Sequence, residues 1–208
     1  MLTFQTALTF FGVSILLGLS PGPDNVFVLM QSATQGRKAG MLVVLGLCTG
    51  LVVHTMAIAF GLAAVFAASA LAFIVLKCVG AAYLVYLAWG AIRAPVSEET
   101  NISATTLRPR ELYLRGVIMN LTNPKVVFFF LAFLPQFVSA ERGSVAFQFV
   151  ELGSIFIVAT IVAFGTISYF AATVGQRLRG SASAQRWMNR VAAFVFTGLA
   201  LKLVLSQR

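Results

Sequence analysis

The chain has 208 residues, of which 59% are hydrophobic and only 10% charged, with a mean hydropathy of +0.92. Soluble domains carry about 25% charged residues, so the composition excludes a soluble globular domain and indicates an integral membrane protein. The formal net charge of +9 does not signal nucleic acid, because the bases sit in short loops between apolar runs, the orientation pattern of membrane insertion.

A helix that crosses a bilayer needs about 20 mostly apolar residues. Six segments qualify, so the predicted fold is an all-α membrane protein with six transmembrane helices. Span one runs from Thr3 to Ala33 and is broken internally at Pro21, Gly22 and Pro23, with Asp24 following. A short basic turn, Gln35 to Lys38, leads to span two, Gly40 to Phe66. Span three runs from Leu71 to Ile92. A polar linker covers residues 93–112, with Pro95, Glu98, Glu99 and Pro109. Span four, Tyr113 to Val138, is interrupted at Asn123 and Pro124. Span five runs from Val145 to Val174, and a basic stretch leads to span six, Val191 to Leu205. No Lys or Arg precedes Arg37 and the break lacks an A-x-A site, so span one does not read as a cleaved signal.

The linker divides one membrane domain into two three-helix halves, 1–92 and 113–208. Three is odd, so the halves run in opposite directions and form an inverted pair. Pro23-Asp24-Asn25-Val26-Phe27 parallels Pro124-Lys125-Val126-Val127-Phe128, with three of five positions identical. The turns after spans one, three and five carry ten bases, against Arg142 alone after spans two and four. Positive residues stay in the cytoplasm, which puts the odd-numbered turns inside and both termini outside.

Backbone freed by proline inside a membrane must be buried in protein or line a wet cavity. Paired broken helices are the sequence pointer to a transporter's binding site. Asp24 and Lys125 lie near mid-span at equivalent points of the two breaks. Intramembrane charges are costly and functional by default, and opposite signs at one depth imply a pair, direct or across a solute. A zwitterionic amino acid offers an ammonium to Asp24 and a carboxylate to Lys125. Asp24 also suits a helix N-cap and Lys125 a structural ion pair, roles compatible with binding. Asn25 and Asn123, with Asn120 and Thr122, either satisfy freed backbone groups or bind a polar solute. His54, the only histidine, is a candidate for proton coupling beside Asp24, or a hydrogen-bonded packing residue. Gly46 and Gly50 form a small-xxx-small pair that allows close helix contact.

Cys48 and Cys78 stand singly inside apolar runs, without a C-x-x-C pair or a neighbouring histidine, so no metal or cofactor is implied. No Walker-type loop, Ser/His pair or H-E-x-x-H is present, which argues against direct ATP use and against an enzyme.

These motifs resemble those of the LysE/RhtB family of amino-acid exporters. Ser20-Pro21-Gly22-Pro23-Asp24-Asn25 with Gln35-Gly36-Arg37-Lys38-Ala39-Gly40 is similar to its first motif, and Gly116 to Lys125 to its second. Phe133-Leu134-Pro135-Gln136-Phe137 and Leu76 to Leu84 also resemble the family's pattern, and the likeness covers essentially the whole chain. It implies a six-helix secondary transporter of the bacterial inner membrane that exports amino acids or close derivatives by proton antiport. Its motif residues fall on Pro21, Gly22, Pro23, Asp24, Asn25, Asn123, Pro124 and Lys125. One deep acid argues for a neutral substrate of the homoserine, threonine or leucine type. The alternatives are a membrane thiol or electron carrier of the wider superfamily, which needs paired cysteines, and an exporter of a solute other than an amino acid. Expected partners are the small-molecule substrate, the lipid bilayer and, from the small enclosed volume, a second copy in a homodimer.

Overall fold

The computed structural model describes residues 1–20, 22–68, 70–93 and 106–179, with single positions between 186 and 204. Pro21 and most of span six lie outside the described residues. The described elements are all helical: α1 (Phe4–Leu19), α2 (Pro23–Gln35), α3 (Arg37–Ala68), α4 (Ala70–Arg93), α5 (Pro109–Thr122), α6 (Pro124–Phe128) and α7 (Val145–Arg179). A π-helical turn, Phe129–Phe133, and two 3₁₀ turns, Leu134–Phe137 and Ala140–Arg142, connect α6 to α7.

Proline sets most of the helix boundaries. The residue before a proline is pushed out of the helical region into extended backbone. Ser20 (φ −64°, ψ 134°), Gly22 (φ −172°, ψ 172°), Arg108 (φ −69°, ψ 152°) and Asn123 (φ −73°, ψ 108°) all precede prolines and all are extended. Each of Pro23, Pro109 and Pro124 then opens a helix, where its missing N–H is no loss. This explains one difference from expectation. Pro109, assigned to the polar linker, begins α5, and Glu111 Oε2 accepts from the Arg108 N–H at 3.1 Å to close its first turn. At the other end of span one, Gly36 (φ +84°) separates α2 from α3, so Arg37 and Lys38 belong to the first turn of α3. α7 runs on to Arg179, past the expected end at Val174.

Pro135 has a different effect. Within a continuing helix it cannot donate to the Leu131 carbonyl, and its ring crowds that group. The chain answers by widening over Phe129–Phe133 and tightening over Leu134–Phe137. Gln136 Nε2 donates to the Ala132 carbonyl at 3.0 Å within this irregular stretch.

Arg37–Gly61 and Val145–Ala171 are each long and apolar enough to cross a membrane. Two bent pairs, α1 with α2 (67°) and Pro109–Thr122 with Pro124–Phe137 (49°), meet the same test if each counts as one span. The described residues therefore give two to four candidate spans, and α4 adds the apolar stretch Ala81–Gly90. α3 packs chiefly on α5 and α7, while α7 also holds α1 and α2. The two unbroken spans thus form the frame on which both bent pairs are hung. At the α3–α5 crossing a side chain on Gly46 would come within 2.9 Å of the Gly116 Cα. Only two glycines allow backbones to approach that closely.

The polarity of the bundle is reversed relative to a soluble protein. Leu45, Val52, Val53, Phe60, Val158, Ile161 and Val162 of α3 and α7 are exposed, whereas Ser14, Asp24, Asn25, Asn120, Lys125 and Ser168 are buried. Apolar surface of that extent suits lipid, and the interior is where polar groups find partners.

Candidate functional site

The site forms where the two breaks meet. Helix α1 ends with unpaired carbonyls, as every helix does. Here partners from three directions take them up. The Ser20 N–H donates to Leu16 O (3.0 Å) and the Ser20 hydroxyl to Leu17 O (2.8 Å). Asn25 Nδ2, from α2, donates to Gly18 O at 2.7 Å. Lys125 Nζ, from α6, donates to Leu17 O and Ser20 O, both at 3.3 Å. A cation at the C-terminal end of a helix complements its dipole, as does an acid in the first turn. Asp24 holds the latter position in α2.

Asn123 is the hinge of the other break. Its N–H donates to Asn120 O (3.2 Å), ending α5, and its Oδ1 accepts from the Lys125 N–H (3.0 Å), starting α6. Its Nδ2 donates across to Asp24 Oδ1 at 2.5 Å. Asp24, Asn25, Asn123 and Lys125 are all buried, at 3%, 5%, 4% and 6% exposure. Asp24 and Lys125 lie close enough for their charges to attract, yet no direct ion pair joins them among the described residues; Asn123 ties the Asp24 carboxylate to the backbone N–H of Lys125, not to its ammonium. Gly22 explains itself by proximity, since a Cβ there would sit 3.1 Å from Lys125 Nζ.

The four residues singled out for solute binding are therefore gathered at one centre. His54 is not joined to them directly. It lies half-buried on α3, with Nε2 3.4 Å from Asn120 O and its ring 5.5 Å from that of Phe130. Asn120 connects the two groups, because its carbonyl also accepts from the Asn123 N–H. Asn120 lies against Gly50, where a Cβ would be 2.5 Å from its Oδ1. So Gly50 makes room for a polar side chain while Gly46 serves the helix crossing.

Two buried oxygens on the asparagines of the breaks have no donor among the described residues, Asn25 Oδ1 and Asn120 Oδ1. An unsatisfied buried acceptor costs about 1–3 kcal/mol, and an ammonium with three N–H groups is suited to relieve it. The centre thus offers a carboxylate and open acceptors for a cationic group, with an ammonium and a helix start for an anionic one. Cys48 is buried and Cys78 exposed, and both are free thiols. No group of three or more metal-ligating side chains occurs among the described residues.

Sequence reasoning passed over a second buried network. Ser32 Oγ donates to Val28 O (2.6 Å) and to Ser168 Oγ (2.9 Å), and Ser168 Oγ to Arg37 O (3.3 Å), tying α2, α7 and the start of α3. Gly40 faces both hydroxyls and leaves them space. Serines inside apolar runs were the only signal, and they are common enough there to pass unremarked.

Comparison with known proteins agrees with this picture. The LysE type translocator family matches residues 15–207. The homoserine/homoserine lactone efflux protein of Salmonella typhimurium is 34% identical over 177 residues, 85% of this chain and 84% of that protein. An uncharacterized membrane protein of Vibrio cholerae is 33% identical over 194 residues, 91% and 92% of the two chains. The membrane protein YrhP of Bacillus subtilis is 27% identical over 211 residues, 97% and 100% of the two. No solved structure matches. With two proline breaks meeting around buried groups of opposite charge, and a family match that spans nearly its whole length, this chain belongs to the LysE type translocators.

Proposed function

We propose that this protein is a secondary transporter that exports a small neutral amino acid or derivative across the bacterial inner membrane by proton antiport. The reading rests on one observation above all. Asp24 and Lys125 share a buried centre, in which Asn123 bonds the Asp24 carboxylate and the Lys125 backbone N–H, and the neighbouring Asn25 and Asn120 each keep an amide oxygen without a donor among the described residues. The substrate ammonium binds Asp24 and Asn25, and its carboxylate binds Lys125 and Asn123. The two Lys125 bonds to α1 carbonyls, at 3.3 Å, are longer than the common range of about 2.7–3.2 Å, so a carboxylate can displace them. A proton and a substrate ammonium neutralise the same Asp24 carboxylate in turn, which couples their movements in opposite directions. His54, through Asn120, is the candidate for proton delivery. Asp24 is the only buried acid among the described residues, which favours a substrate with one positive group. The name of the Salmonella relative, which cites homoserine and its lactone, supports a substrate of the homoserine, threonine or leucine type.

In this reading six spans form two inverted halves, 1–92 and 113–208, joined by the linker 93–112. Helix breaks at Pro21, Gly22, Pro23 and Pro124 carry the alternating access. The odd-numbered turns face the cytoplasm, both termini lie outside, and two small bundles pair as a homodimer. Everted vesicles provide the test. Energised vesicles carrying the chain take up radiolabelled L-homoserine or L-threonine, and a protonophore stops it. Asp24→Asn abolishes uptake while the protein stays in the membrane. Retained uptake in that variant removes Asp24 from the mechanism, and uptake indifferent to the protonophore removes proton coupling. The Cys48→Ala, Cys78→Ala double variant keeps full transport, which dismisses a thiol carrier.

A further inference from the structure

A second polar cavity lies away from the charged centre. It has a volume of about 310 Å³ and is walled by Gln5, Thr6, Thr9, Gln136, Ser139 and Arg142. Ligand pockets span about 300–1,000 Å³, so this one has room for a single amino acid and little more. Phe137 also lines it. The Phe137 ring packs on Phe10 with centroids 5.0 Å apart, and Phe10 on Phe129 at 5.9 Å. The Phe129 N–H in turn bonds the carbonyls of Lys125 and Val126. The cavity and the charged centre are thus separated by a stack of phenylalanines. On α1 the same path reads Thr6, Thr9, Phe10, Ser14, Leu17, Ser20, one helix face from the cavity to the break.

The cavity is equipped for a carboxylate and an amine. Arg142 carries a guanidinium, whose planar fork matches a carboxylate. Among the described residues no ion pair engages it, while its carbonyl holds the Met1 ammonium at 2.7 Å. Gln136 Nε2 donates to Ala132 O, and Oε1 lies covered behind the cavity wall with no donor among the described residues. An unsatisfied buried acceptor gains by turning outward to an N–H of a solute. No Asp or Glu lines the cavity, so a solute with two positive groups finds no counter-charge there. Gln136 and Phe137 both belong to the 3₁₀ turn that follows the π-helical turn. Cavity wall and barrier therefore lie on one irregular segment, where widened and tightened turns commonly mark a hinge.

We propose that this cavity is a second solute site, which takes a small molecule bearing a carboxylate and an amine, on the far side of the Phe10–Phe129–Phe137 barrier from Asp24 and Lys125. It rests on the reading of the chain as an amino-acid exporter, and makes the cavity the station next to the central site on the transport path. The substrate carboxylate pairs with Arg142, and its ammonium donates to Gln136 Oε1 once that side chain turns into the cavity.

The test is protection of a reporter thiol in the full chain, purified into lipid nanodiscs. Ser139→Cys is introduced in the Cys48→Ala, Cys78→Ala background and labelled with a charged methanethiosulfonate reagent. Millimolar L-homoserine slows labelling several-fold, and acetate, which has the carboxylate alone, slows it less. Arg142→Gln removes protection by both, and Gln136→Leu reduces protection by L-homoserine but not by acetate. Asp24→Asn leaves protection in place. Absence of protection overturns the proposal, as does protection that survives Arg142→Gln or disappears in Asp24→Asn. Thr6→Cys, on the opposite wall, serves as reporter under the same criteria if Ser139→Cys does not fold. The two proposals fail separately: Asp24-dependent export without protection removes this site alone, while protection without export removes the transport reading.

Discussion

The two helix breaks look alike in sequence and are built differently. The second is nearly self-sufficient. A single residue, Asn123, ends α5 with its backbone and caps α6 with its side chain. The first bends more sharply, 67° against 49°, and leaves carbonyls at the end of α1 that its own neighbourhood satisfies only in part. Lys125 Nζ comes from the second break to supply the remainder. Asp24 in turn depends on Asn123. The first break is therefore held in shape by the second, and under the proposed function a solute that competes for Lys125 or Asp24 would loosen the first break before the second. On that reading α1 and α2 are the part expected to yield.

The largest effect is expected at the shared cation. Lys125→Met leaves Asp24 without the cation beside it and the Ser20 carbonyl without its Lys125 donor. Removing one partner of a buried pair costs about 3–5 kcal/mol, so thermal unfolding in detergent, followed by circular dichroism, shifts down sharply and export stops. Adding Asp24→Asn to this variant restores much of the melting temperature but no transport. If the double variant melts no higher than the single one, the charges do not depend on each other and the comparison breaks.

Asn123→Ala comes next, because it removes a cap from α6 and the bridge to Asp24 together. A lost cap costs about 1 kcal/mol and a hydrogen bond to a charged group about 1.5–3 kcal/mol. Asn25→Ala removes one neutral bond to Gly18 O, of about 1 kcal/mol, and also deletes an unpaired acceptor, so it melts closer to the parent. Equal losses for the two asparagines would show that the breaks share their support evenly. The smallest stability change is expected for Gly22→Ala. Extended backbone accepts alanine, and the new methyl displaces only the flexible end of Lys125, 3.1 Å away. Stability stays within about 0.5 kcal/mol, while the apparent KM for L-homoserine uptake rises.

Much of this site was legible before any coordinates. Pro23, Pro124 and the opposite charges beside them name both breaks, since proline in an apolar run frees backbone that lipid cannot satisfy. Less legible was the route of each side chain. Nothing in the spacing says that Lys125 reaches the carbonyls of Leu17 and Ser20, or that Asn123 ties the Asp24 carboxylate to the start of α6. The irregular stretch after Phe128 was also hidden. Pro135 was visible, but whether a chain answers proline with a kink, a stop or a widened turn depends on what packs around it. The linker was drawn too long at Pro109 because proline reads as a breaker, although at a helix start it is favourable. The cavity at Gln136 had no linear signal, being assembled from residues 5–9 and 136–142.

Composition and proline positions alone determined that the chain lives in a membrane and where its two breaks fall, because hydropathy and backbone geometry are local properties. The tertiary structure decided which groups satisfy those ends. A buried carbonyl takes whichever donor the fold brings within reach, and for α1 that donor comes from residue 125, more than a hundred positions along the chain.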